Sequence, residues 1–125
     1  MAKTVLELSP EELKKYSLKP KRRLGIAETR RLRTRAMRQA RKAADLLKRE
    51  FGATRVVLFG SLAHRSWFTP WSDIDLAVWG IAPKDFYRAV GTVSDMKSEF
   101  KIDVVDPETC RPFVREEIAE DGIDL

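Results

Sequence analysis

A chain of 125 residues, 43% hydrophobic and 34% charged, suits one soluble domain with a core of its own. It has no apolar run of the ~18 residues that a membrane span needs, and its N-terminus lacks the apolar core of a signal peptide. Cys110, the only cysteine, leaves no internal disulfide, so a reducing, cytoplasmic setting is expected. The net charge of +5 is unevenly spread: residues 19–50 carry thirteen Lys/Arg against three Asp/Glu, and residues 51–125 carry eight against thirteen. A basic front of this kind invites an anionic partner such as RNA, DNA, a nucleotide or an acidic protein face.

Residues 1–25 read as a short helix followed by a linker. Ser9-Pro10-Glu11-Glu12 has the pattern of a helix start, with Ser9 as N-cap and Glu12 completing a capping box. Lys19-Pro20-Lys21-Arg22-Arg23 and Gly25 then break it. The rest, 26–125, reads as a single domain. Its first element is a long helix over 26–51, because Leu32, Ala36, Ala40, Ala43, Leu47 and Phe51 recur at steps of three and four. Arg30, Arg31, Arg33, Arg35, Arg38, Arg41 and Lys42 cover most of the remaining surface, and Gly52 stops the helix.

The core of the domain is expected over 54–107. Arg55 to Phe59 is a short, partly β-branched apolar run and reads as a buried strand. Ile74 to Trp79 is a second strand. Pro83 opens a helix that runs to about Lys97, with Phe86, Val90 and Val93 inward. Ile102 to Val105 is a third strand, and a helix over 112–120 ends at Gly122. Ile123-Asp124-Leu125 is free to lie back on the body. This order predicts an α/β (α+β) fold, a small mixed sheet flanked by helices.

Two aspartates interrupt the apolar pattern at the mouth of the second strand, in Ser72-Asp73-Ile74-Asp75-Leu76. Side chains alternate along a strand, so Asp73 and Asp75 are expected on one face, Cα atoms roughly 6–7 Å apart, with Ile74 turned into the core. Paired carboxylates repel unless a cation lies between them. Magnesium suits such a pair, since it favours oxygen ligands and is commonly shared between carboxylates and phosphates. Asp103, inside the third apolar run, is the candidate third acid. Asp106 faces the other way, precedes Pro107, and reads as a turn residue.

Gly60-Ser61 directly follows the first strand. Glycine lets the backbone approach a ligand, and serine offers an N–H and a hydroxyl to a phosphate oxygen. Gly-Ser alone carries no signal and Asp-x-Asp alone carries little. The ordered set of strand, Gly-Ser, spacer, Asp-x-Asp on a second strand and an acid in a third is a layout for handling a nucleoside triphosphate.

That set resembles the nucleotidyltransferase superfamily with a DNA polymerase β-like fold. Ser72-Asp73-Ile74-Asp75-Leu76 in particular is similar to the minimal nucleotidyltransferases, many of which accompany a HEPN-domain ribonuclease toxin. The likeness spans 54 to about 107 and hardly touches the basic helix. It implies that Gly60 and Ser61, with Ser72 beside them, contact the nucleotide. It implies that Asp73, Asp75 and Asp103 bind magnesium, two ions in this family, and that Asp103 helps activate the attacking hydroxyl. Relatives often read Gly-Ser-x-Ala-Arg-Gly, whereas this chain has His64 and Arg65 in the last two places. Arg65 is a candidate for the displaced positive charge, and His64 either touches a phosphate or packs. Trp67, Phe68 and Trp71 crowd the spacer, where a lid or plug, a base-stacking surface and a partner patch are the alternatives.

The resemblance implies in-line attack of an acceptor hydroxyl on the α-phosphate of ATP, with loss of pyrophosphate. A chain this short has little room for a domain to hold an acceptor, so the acceptor is expected to bring its own surface. In the toxin–antitoxin pairs of this family the nucleotidyltransferase is the antitoxin and transfers AMP to a tyrosine of the HEPN toxin. Two other functions fit the same residues. One is a module that neutralises its partner by docking alone. The other is transfer to RNA or a small molecule, with Arg31, Arg35 and Arg38 on an RNA-binding face.

Overall fold

The computed structural model describes residues 25–64 and 68–125. The expected helix start at Ser9, the linker before Gly25, and Arg65 and Trp67 lie outside the described residues. In chain order the elements are α1 (Ile26–Phe51), β1 (Arg55–Phe59), a 3-10 turn (Gly60–Leu62), β2 (Ile74–Trp79), α2 (Pro83–Ser94), β3 (Ile102–Val105), α3 (Pro112–Asp121) and β4 (Ile123–Asp124). No helix among the described residues is long and apolar enough to cross a membrane.

The helix α1 buries the predicted stripe. Leu32, Ala36, Ala40, Ala43 and Leu47 are all but inaccessible, joined by Ala44. Four alanines in this stripe let the helix backbone lie close to the sheet. Phe51 stays half-buried, with the Arg88 guanidinium 5.5 Å from its ring centre. Gly52 takes φ +73°, and the N–H of Ala53 closes the end on the Leu47 carbonyl at 3.1 Å. This is the left-handed exit that glycine makes at low cost.

The sheet is mixed, in the order β3-β2-β1-β4. β1 pairs antiparallel with β2 and β4, and β2 pairs parallel with β3. Alternation splits each strand between two faces. Val56, Leu58, Ile74, Leu76, Val78, Ile102 and Val104 look toward α1 and α2 and form the main core. Val57, Phe59 and Ala77 look the other way and pack under Ile118 of α3. The same parity places Asp75 and Asp103 on the α3 face.

Two expectations change. The sheet has four strands rather than three, because the C-terminal residues pair with β1: Ile123 faces Leu58, Asp124 faces Val57, and the Leu125 N–H donates to the Val56 carbonyl at 2.9 Å. Gly122 permits this return, since a Cβ there would collide with the Ile118 carbonyl and Val57. Second, α2 stops at Ser94, short of Lys97. The Asp95 N–H still donates to the Gly91 carbonyl at 3.0 Å, and the Met96 N–H then donates to the Val93 carbonyl at 3.1 Å, a tightened last turn that closes the helix. The expected inward face of α2 holds: Val93 is buried, and Phe86 and Val90 pack half-buried against the same core, joined by Ala89.

Candidate active site

β1 ends at Phe59, which stands opposite Asp75 in β2. Asp75 in turn stands opposite Asp103 in β3. Neighbouring strands lie about 4.8 Å apart, so the two carboxylates are side by side on the α3 face. Asp73 does not share the strand. β2 begins at Ile74, whose N–H donates to the Lys101 carbonyl at 2.9 Å, and Asp73 is the last residue of the incoming loop. The alternation that put Asp73 and Asp75 on one strand face therefore covers Asp75 alone, and Asp73 reaches the cluster from the loop.

Gly60 begins the turn at φ +77°, in the left-handed region. A Cβ at this position would collide with the Asp75 carboxylate. Gly60 is thus required twice, once for its backbone angle and once for the carboxylate beside it. The turn continues through half-buried Ser61, and the His64 N–H closes it on the Gly60 carbonyl at 3.0 Å.

The electrostatics of the cluster centre on Asp75. Burial, and then the charges of Asp103, Asp73 and Glu117, push its carboxyl up to about 7, with Lys101 pulling weakly the other way. The Lys101 ammonium is exposed and 3.7 Å from a carboxylate oxygen of Asp103. Among the described residues, one exposed lysine does not balance four acids, so the charge of the cluster is left largely uncompensated there. Among the described residues, no three His, Cys, Asp or Glu side chains already converge as a cation cage. The donor set nevertheless fits a hard divalent cation: every donor is a carboxylate oxygen, and their mutual repulsion is what such a cation removes.

Glu117 and Asp121 were not singled out in the sequence. They lie on α3 one turn apart. Glu117 is half-buried, unlike its exposed neighbours Glu116 and Glu120. Asp121 takes His64: its Oδ2 is 3.0 Å from the imidazole Nε2. His64 itself is exposed, held to α3 through this bond. Nothing in the residue pattern of α3 separates Glu117 from the acids beside it. Only the return of the chain over the sheet does so.

Ser72 serves the incoming loop. Its hydroxyl accepts from the Thr69 N–H at 3.0 Å and is 3.0 Å from the Thr69 hydroxyl. Asp106 behaves as a turn residue, its carboxylate accepting from the Glu108 N–H at 2.9 Å. In the spacer, Phe68 is buried against Phe100, ring centres 5.6 Å apart, which makes it a plug. Trp71 is 65% exposed. The basic residues of α1 line an open groove of about 1070 Å³ that includes Arg30, Arg38, Arg41 and Lys42. None of the four acids lines that groove. The groove also takes in one acid, Asp45, so it is not uniformly positive. We place the chemistry at the acids of the cluster, because phosphoryl chemistry needs a cation site and the charge of the groove is mainly positive.

The comparisons agree with this geometry. No curated protein matches the sequence. A toxin–antitoxin crystal structure with AMP-PNP is 19% identical, with a TM-score of 0.53 over 68% of this chain and 70% of that one. The MntA–HepT toxin–antitoxin structure is 17% identical, with a TM-score of 0.50 over 70% and 69%. At these identities the two show a shared fold. A structure assigned to the minimal nucleotidyltransferases is 28% identical, with a TM-score of 0.55 over 78% of this chain and 95% of that one. The family model described as polymerase beta, nucleotidyltransferase matches residues 41–125, which hold the Gly60-Ser61 turn and all four acids. The chain belongs to the polymerase beta nucleotidyltransferase family.

Proposed function

We propose that the chain is a magnesium-dependent adenylyltransferase that acts as an antitoxin in the cytoplasm. It transfers AMP from ATP to a tyrosine hydroxyl of a cognate HEPN ribonuclease toxin and silences it. On this reading residues 26–125 are one nucleotidyltransferase domain, preceded by a linker. The observation that carries the proposal is the uncompensated carboxylate cluster around Asp75, set against the Gly60 turn. The likeness to a toxin–antitoxin solved with AMP-PNP supports the nucleotide and the partner class.

The chemistry is attack of the acceptor oxygen on the α-phosphorus, with breakage of the bond to the β-phosphate oxygen and release of pyrophosphate. The Gly60-Ser61 turn brings backbone N–H and the Ser61 hydroxyl to the terminal phosphates. Gly60 keeps the Asp75 carboxylate in place beside them. Asp73, Asp75 and Asp103 would hold the magnesium, with Glu117 behind Asp75. Bound there, magnesium supplies neutralisation of phosphate charge and stabilises the attacking and leaving oxygens. Asp103 assists removal of the acceptor proton. The protein contributes mainly position and charge.

The test is intact-mass spectrometry of the HEPN-domain protein after incubation with this chain, ATP and magnesium. One added AMP per modified site is expected, and it disappears with Asp75→Asn. An unchanged mass, with the toxin still silenced, contradicts the transfer. A second reading, silencing by docking alone, draws on one observation: His64 is bonded to Asp121 rather than left free for a phosphate. An Asp73→Asn/Asp75→Asn double variant that silences the toxin as well as the wild type would establish it.

A further inference from the structure

Trp71 is 65% exposed, although an indole is among the side chains that gain most from burial. Its backbone is held firmly. The Ser72 N–H donates to the Thr69 carbonyl at 3.0 Å, closing a turn over Pro70 and Trp71. Proline at the second position of such a turn fixes its φ in advance. The Thr69 N–H donates to the Ser72 hydroxyl at 3.0 Å, and the Trp71 N–H donates to the Thr69 hydroxyl at 3.3 Å. At its base, Phe68 is locked against Phe100. The chain thus spends several bonds on presenting an indole to solvent. Asp73 follows two residues later, a Cα separation of at most about 7 Å.

We infer that Trp71 is the stacking platform for the nucleobase of the nucleotide bound at the acids. The inference rests on the nucleotidyltransferase reading. With the phosphates at Gly60-Ser61 and the carboxylates, the base lies one nucleoside length away, within reach of the turn. An indole held in advance loses little freedom when a planar ring settles on it. A protein partner is the poorer fit. Protein contacts concentrate energy in aromatic side chains ringed by further apolar surface, whereas the described residues that share the turn with Trp71 are Thr69, Pro70 and Ser72. A π face reads any base and grips a larger purine best, so the platform selects purine over pyrimidine nucleotides without hydrogen-bond readout.

The test is calorimetric titration of the full chain, with magnesium, against two ligands: ATP, and tripolyphosphate, which has no base. Trp71→Ala is expected to weaken ATP binding about tenfold, the size of one lost base–aromatic stack, and to leave tripolyphosphate unchanged. Trp71→Phe keeps most of the ATP affinity. Tyr87→Ala removes another exposed aromatic, on α2, and changes neither ligand. ATP binding to Trp71→Ala at wild-type strength overturns the inference; if transfer to the toxin then falls, Trp71 docks the acceptor instead. Equal loss of both ligands also overturns it, since the effect then lies in the phosphate site. A wild-type chain that binds neither ligand overturns the nucleotidyltransferase reading and the inference with it.

Discussion

The two ends of β1 solve the same electrostatic problem in opposite ways. At its start, Arg55 pairs with Asp124 of β4 at 2.8 Å and lies 4.7 Å from the Trp79 ring centre. The hydrogen bond between them raises the arginine and lowers the carboxyl of Asp124. Each charge has a partner, and the pair sits in water. At its end, β1 delivers Gly60 to an acid whose neighbours are other acids. Asp75 is half-buried and is pushed up to about 7 rather than down. The first end is complete within the protein. On the proposed reading, the second is completed by a cation and a phosphate. Charged residues on adjacent strands are thus no guide to function by sign or number. What matters is whether the fold supplies the counter-charge.

The contrast can be broken in order of effect. Asp75→Asn removes a proposed cation ligand and is expected to lower AMP transfer about a thousandfold, on the scale of removing a central electrostatic group. It should not destabilise the metal-free protein, because it also removes a repelled charge, and thermal melting without magnesium tests this second half. Gly60→Ala comes next. It forces a Cβ onto the left-handed backbone and into the Asp75 carboxylate, for a stability loss of about 1–2 kcal/mol, measured by urea unfolding. Transfer should fall as well, because the carboxylate is displaced.

The pH response is smaller and has a definite sign. The folded value of Asp75 lies near 7 and its ordinary value is 3.8. The folded state therefore binds the extra proton between these values. Its contribution to stability is fully present below about 3.8 and is lost as pH rises through about 7. The site is partly open to water, so the loss is about 1–2 kcal/mol rather than the full linkage value. Metal-free unfolding curves from pH 4 to 8 should show the decline, and Asp75→Asn should flatten it. Smallest of all is Arg55→Ala at the other end of the strand. It should leave transfer unchanged and shift the melting temperature within measurement scatter, since an exposed ion pair contributes little.

Much of this architecture was legible because it rests on periodicity and punctuation. The apolar stripe from Leu32 to Leu47, closed by Gly52, marked α1, and β-branched runs after glycine or before Asp-Pro marked the strands. Asp75 and Asp103 were legible because a carboxylate inside an apolar run needs a reason. The remainder depends on tertiary approach. Ile123-Asp124 is too short to show a strand period, and it pairs only because Gly122 lets the chain pass close over Val57. Glu117 joins the acids because α3 lies over that face of the sheet. Asp73 looked like a strand residue because spacing of two mimics alternation, yet the ladder starts one residue later.

Magnesium binding is the most direct test of the proposed cation site at the acid end of β1. Calorimetric titration at pH 6.5 in two buffers of different ionisation enthalpy reports both affinity and protons exchanged. The wild type is expected to bind magnesium with proton release, because Asp75 is partly protonated at that pH and must ionise to bind. Asp75→Asn should bind weakly and release none. Binding of equal strength in both proteins, or binding with no proton released by the wild type, would contradict the proposed site.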